Sequence, residues 1–189
     1  KRHGATSALA YRDMGYLPDA MINYLARLGW SHGDQEIFSR EELIKHFSFD
    51  SVNTSAAIFD ADKLSWVNEQ YIQSAPPEEL AKHLEPHLIK SDILTEGHGL
   101  SLQEIAKVIP CLNQRAKTLI EMAEKSAFFF KKEVEFDEKA RTKFLTEEAK
   151  PLLEKVIAGL SALDDFSAES IESLFKKIVE EEGMKLGKL

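Results

Sequence analysis

Apolar residues recur at helical spacing along most of the chain. Leu17, Met21, Leu25 and Leu28 form one such run, and a step of three to four residues places them on one side of a helix. Leu64, Val67, Tyr71 and Ile72 form a second stripe, and Leu119, Met122, Ala123 and Ser126 a third. Two more follow, one carrying Leu152, Leu153, Val156, Ile157 and Leu160, the other Ile171, Leu174, Phe175, Ile178 and Val179. Strict alternation, the mark of a half-buried strand, is nearly absent; Gln35 to Phe38 is the only short strand candidate. The pattern predicts a mainly α fold.

Start and stop signals set the expected boundaries. A short helix over 5–14 ends at Gly15, and Pro18 suits the first turn of the next, which runs to about Leu28. Ser39 with Glu42, and Ser101 with Glu104, have the spacing of capping boxes, in which the serine side chain and the glutamate each satisfy one free backbone N–H. Asp60 and Ser167 are further N-caps, and Gly183 is a C-terminal stop. Pro86 is expected to kink or divide a helix over Glu78 to Ile89. After an interruption at Pro110, one long helix is predicted from Leu112 to Phe130, then another from Thr146 to Leu163. Ser74-Ala75-Pro76-Pro77 is the best candidate junction, because two prolines halt one helix and pre-set the next. The expected architecture is a small connecting helical module over 5–74 followed by a helical domain over 75–189.

Composition narrows the class. Of 189 residues, 43% are hydrophobic and 30% charged, the balance of an ordinary globular domain. No apolar run approaches the length of a bilayer span, so no membrane association is expected. Cys111 is the single cysteine, which excludes an internal disulfide and a cysteine metal cage and fits a reducing, cytoplasmic compartment. A formal charge of −8 argues against a general nucleic-acid binder. Residues 107–132 run the other way: Lys107, Arg115, Lys117, Lys125, Lys131 and Lys132 face only Glu121 and Glu124, a local +4. The chain opens on Lys1 rather than methionine, and so reads as a piece of something longer.

Candidate chemistry is sparse. The turn Ser31-His32-Gly33-Asp34-Gln35-Glu36 concentrates polar groups, but His32, Asp34 and Glu36 lack a closing metal ligand, and no metal site is expected. The simpler expectation is a turn in which Ser31 and Asp34 bond local N–H groups and Gly33 supplies a positive φ. Neither a nucleophile-base pairing nor a Gly-rich phosphate loop can be proposed. Cys111 beside Pro110 is expected to be a small buried hydrophobe. Phe128-Phe129-Phe130 is either core at a helix end or a platform on which bases could stack.

Beyond composition and spacing, Lys1-Arg2-His3-Gly4, the run Tyr11 to Pro18 and the run Asn23 to Phe38 resemble bacterial-type glutamyl-tRNA synthetases, a class I aminoacyl-tRNA synthetase family. Phe59-Asp60, Lys63-Leu64, Trp66, Asn68 and Tyr71-Ile72 continue the likeness, and Arg115 to Leu119 with Phe128 to Phe130 match more loosely. The resemblance implies that residues 1–4 end a KMSKS-type loop, with Lys1 and Arg2 at the ATP site of the parent enzyme. It implies that 5–74 connect the catalytic domain to the tRNA and contact its stem, and that 75–189 form an α-helical anticodon-binding domain, incomplete at its C-terminal end. The parent enzyme would activate glutamate with ATP, in the presence of magnesium, and transfer it to tRNA(Glu), with tRNA(Gln) a second candidate. Arg115, with Lys117 beside it, would read the last anticodon base. The piece itself would be monomeric and hold no catalytic residue and no bound cofactor. Its alternative, from another class, is a stand-alone helical protein-interaction module derived from a synthetase.

Overall fold

In the computed structural model the described residues are 7–53, 57–131, 133 and 136–188. Among them are ten α-helices, several 3-10 turns and no strand. The expected strand at Gln35–Phe38 is irregular backbone. Lys1 and Arg2 lie outside the described residues. The chain divides into two compact units, residues 1–133 and 134–189.

The first unit begins with α1 (Ala8–Asp13), capped by the Ser7 side chain, and α2 (Pro18–Arg27), with its proline in the first turn. α3 (Arg40–His46) opens with the expected Ser39–Glu42 capping box. α4 (Ala61–Ser74) is capped by Asp60, whose carboxylate accepts the Lys63 N–H at 3.0 Å. α5 (Pro77–Lys90) runs unbroken through Pro86. That proline lies on the exposed side, so the carbonyl left without an N–H partner one turn earlier can turn to water. α6 (Leu102–Ala106) opens with the second capping box, Ser101–Glu104. α7 (Leu119–Phe130) closes the unit.

One core joins α2, α4, α5, α6 and α7, with Tyr11 of α1 packed against it. Leu17, Tyr24, Leu64, Ile72, Leu84 and Met122 are among its buried members, so the helices before and after the Pro-Pro turn share one apolar interior, while Ser74 and Pro76 of the turn itself are exposed. A smaller cluster of Trp30, Phe38 and Leu43 sits under the polar turn. The expected stripe of α2 holds at Leu17, which is core, and at Met21 and Leu28, which pack against it; the buried residues within the helix are Ala20, Asn23 and Tyr24, and Leu25 is left exposed. Tyr24 can sit inside because its ring fills the core while its hydroxyl accepts the Asp60 N–H at 2.7 Å, which satisfies the polar end.

Leu112 to Phe130 is not one helix. Short 3-10 turns at Ile109–Cys111 and Asn113–Arg115 precede an extended Ala116 (φ −130°, ψ 132°), and α7 starts only after Thr118. Cys111 is exposed rather than buried.

The second unit contains α8 (Glu138–Phe144), α9 (Lys150–Ser161) and α10 (Ala168–Glu181). α8 is absent from the sequence reading because its residues, Glu-Lys-Ala-Arg-Thr-Lys-Phe, show no apolar stripe; the Asp137 cap is its one local signal. α9 and α10 pack where Gly159 meets Leu174, and a Cβ at Gly159 would come within 2.7 Å of that side chain. Ser167 caps α10 as expected, and Ile178 and Val179 are its buried residues.

Candidate nucleic-acid interface

The loop Leu112–Thr118 carries the two cationic residues singled out for RNA. Leu112 and Ala116 are buried, while Arg115 and Lys117 are exposed. Around the extended Ala116, successive side chains point to opposite sides. The two cations therefore face solvent together on either side of an inward alanine. On a continuous helix, residues two apart would not share a face.

Tertiary hydrogen bonds hold the loop in this form. Asn68, fully buried on α4, accepts the Leu17 N–H at 2.8 Å and donates to the Lys117 carbonyl at 2.6 Å and the Gly15 carbonyl at 3.4 Å. The Gly15 carbonyl also accepts the Leu119 N–H at 2.9 Å. Gly15 has φ +85°, and a Cβ there would lie 2.8 Å from the backbone nitrogens of Leu119 and Ile120. Only glycine tolerates both that dihedral and that approach. These bonds claim backbone groups that a helix through Lys117 would need, which is why the helix starts late.

Charge at the loop is distributed unevenly. The Lys117 N–H donates to the Glu121 carboxylate at 3.0 Å, and the Lys125 ammonium donates to the Arg115 carbonyl. The natural acidic partner for Arg115, Glu121, is thus engaged by backbone. Among the described residues the Arg115 guanidinium has no hydrogen bond or ion pair. Lys125 was not among the expected site residues; its position two turns after Thr118 places it over the loop only once the loop has folded back.

The polar turn 31–36 is a contrast. Asn23, fully buried, donates to the Glu36 carbonyl at 2.9 Å and accepts the Phe38 N–H at 2.9 Å. The Glu36 carboxylate pairs with Lys63 at 2.9 Å and Arg27 at 3.2 Å. The hydrogen bond from Lys63, then that from Arg27, holds its carboxyl below the usual carboxylate range. His32 stacks on His46 with ring centroids 4.3 Å apart. Gly33 has the expected positive φ, +54°, but Ser31 and Asp34 make no side-chain hydrogen bond among the described residues, contrary to the expected turn chemistry. Among those residues no group of three His, Cys, Asp or Glu side chains is placed to hold a metal ion, and no helix is long and apolar enough to cross a membrane.

A groove of about 660 Å³ lies between α2 and α5, floored by Met21, Ile22, Leu25 and Pro86 and edged by Arg12 and Lys90. The exposed Leu25 belongs to it. Beside it, burial first and then Lys90 push the His87 imidazole below its ordinary range.

Comparison with known proteins adds an independent line. Residues 79–189 match the model of the anticodon binding domain, and residues 1–66 that of the class I tRNA synthetase catalytic domain (E and Q). Over 189 residues the chain is 48% identical to a glutamate–tRNA ligase of Geotalea uraniireducens, covering all of this chain and 40% of that protein. A glutamate–tRNA ligase of Syntrophobacter fumaroxidans is 49% identical over 190 residues, again with 40% of its length covered. Among solved structures, a glutamate tRNA ligase from Elizabethkingia meningosepticum superposes with a TM-score of 0.78 at 34% identity, over 94% of this chain and 34% of that one. A glutamate-tRNA synthetase from Elizabethkingia anophelis gives 0.74 at 35% identity with the same coverage. The chain thus spans about two fifths of the length of the curated relatives it matches. The anticodon-domain match covers more than half of it, over a helical fold that its solved relatives share, and the chain belongs to the anticodon binding domain family of the glutamate–tRNA ligases.

Proposed function

We propose that this chain is the tRNA-binding part of a glutamate–tRNA ligase, the whole enzyme activating glutamate with ATP and transferring it to tRNA(Glu), with tRNA(Gln) the second candidate substrate. Residues 5–74 meet the tRNA stem, and 75–189 meet the anticodon arm. Lys1 and Arg2 are the residues of this chain that belong to the ATP site; their charge would stabilise the departing pyrophosphate. ATP and magnesium serve the whole enzyme, and this part is not catalytic by itself. A cytoplasmic monomer completes the reading.

The observation that carries it is the exposed Arg115 guanidinium, left unpaired beside Lys117 while Glu121 is engaged elsewhere. An unstacked cytosine presents a carbonyl oxygen and a ring nitrogen on one edge, and a guanidinium donates to both in one plane. Guanine presents a donor on that edge and is rejected. Lys117 supplies a phosphate contact, which sets affinity without sequence preference.

Filter binding of the 189-residue chain to tRNA(Glu) tests the reading. Affinity should fall steeply as salt rises, because phosphate contacts release counterions. Arg115→Gln should reduce the preference for cytosine over guanine at the last anticodon position by roughly 5- to 100-fold, the value of one good bidentate base contact. Lys117→Ala should weaken both tRNAs alike and lower the salt slope. Salt-independent binding, or unchanged discrimination in Arg115→Gln, would overturn it.

A further inference from the structure

The end of α7 presents an aromatic surface that the fold does not use. Phe128 and Phe129 are 56% and 41% exposed, and their rings lie against each other, centroids 4.1 Å apart and planes 33° from parallel. Phe130, the next residue, packs against the core. The helix's interior face is already filled by Met122, Ala123 and Ser126. About half of the surface of each of these two phenylalanines therefore stays in water, apolar area whose burial would be favourable.

Lys125 lies three and four residues before these rings. That spacing puts all three side chains on one helix face within about one turn, roughly 5–6 Å along the axis. Lys125 also reaches the Arg115 carbonyl, so the same face runs from the Arg115 loop to the aromatic pair. Lys131, exposed, follows the helix end. An apolar protein surface would have to desolvate these cations. An unpaired RNA strand instead offers an anionic backbone to the cations and a π-face to each ring.

We propose that the Phe128–Phe129 pair is a stacking platform for an unpaired base of the anticodon loop, neighbouring the base held at Arg115. This rests on the functional reading above and extends it: Arg115 chooses the base, and the platform holds the strand unstacked so that its edge is readable. The platform itself is indifferent to base identity, because every base has a π-face.

The test uses the 189-residue chain and an RNA hairpin bearing the glutamate anticodon loop, with a fluorescent aminopurine substituted at one loop position at a time. Binding should quench one position strongly. Phe128→Leu/Phe129→Leu should abolish that quenching and weaken binding by roughly 5- to 100-fold, while Phe128→Tyr/Phe129→Tyr retains both. Circular dichroism confirms that each variant is folded. Arg115→Gln should keep the quenching and lose base preference. Unchanged affinity and quenching in the folded leucine variant overturn the platform, whatever happens to its melting temperature; a change in melting alone would mean that the rings serve protein packing. If the leucine variant weakens binding but Arg115→Gln does nothing, the platform stands and the Arg115 reading falls. A wild-type chain that fails to bind the hairpin overturns both.

Discussion

The two polar loops of the first unit have opposite designs. The turn 31–36 looks chemically rich in sequence, yet its charged centre is consumed by structure: Glu36 is shared between Arg27 and Lys63, and the turn's backbone is clamped by Asn23. The loop 112–118 looks plain, yet Asn68 and Glu121 bond the Lys117 backbone, Gly15 takes the Leu119 N–H that follows, and the cationic side chains of Arg115 and Lys117 are left in solvent. A residue is available to a ligand when its neighbours' bonding needs are met without it, and residue type alone does not report that. Both loops use the same device, a fully buried asparagine in a helix that bonds backbone of another segment. One asparagine serves a joint, the other the loop proposed as an interface.

Substitutions can break this contrast, and the largest effect should come from Asn68→Ala. It orphans the buried Leu17 N–H and the part-buried Lys117 carbonyl, a cost of about 3 kcal/mol for the two groups left unsatisfied. Urea unfolding should show the loss, and RNA affinity measured well below the midpoint should fall as well, since the loop would no longer hold Arg115 outward. Stable binding in that variant would separate the loop's geometry from its function.

Asn23→Ala should come next, at about 2 kcal/mol, for the unpaired Phe38 N–H and Glu36 carbonyl. Here RNA affinity of the folded protein should be unchanged. A matching loss of affinity would make the turn part of the interface and erase the distinction drawn between the loops.

The smallest effect belongs to Glu36→Gln. Its carboxylate is 38% exposed, so solvent discounts both ion pairs to about 0.5 kcal/mol together. The sign with pH follows from its lowered folded pKa. The contribution is fully present above the ordinary value of 4.5 and is lost as pH falls through the lower folded value. Thermal melts across that range should therefore fall less steeply for Glu36→Gln than for wild type.

Much of the fold was legible. The caps at Ser39, Asp60, Ser101 and Ser167 formed where local chemistry placed them, because a cap depends on a few adjacent residues. The interior face of α7 also matched its stripe. The stripe of α2 matched at Leu17, Met21 and Leu28 but not at Leu25, which is exposed, and it passed over Asn23, which is buried because its amide finds backbone partners inside. The advance sign of both asparagines lay in the family likeness, whose runs include Asn23 and Asn68; Asn68 also stands beside the stripe position Val67.

The sequence by itself determined the all-helical class, most helix starts, and the basic character of residues 107–132, since these rest on periodicity, caps and charge within a few residues. Its detailed likeness to glutamyl-tRNA synthetases pointed to the family that the comparisons show. Only the tertiary structure decided that Arg115 and Lys117 stand on a loop rather than a helix. That outcome depends on the Asn68 amide donating to the Lys117 carbonyl and the Gly15 carbonyl accepting the Leu119 N–H, from residues 49 or more positions away from Lys117 in the chain. Local propensity favours a helix there, and backbone bonds reaching across the fold overrule it.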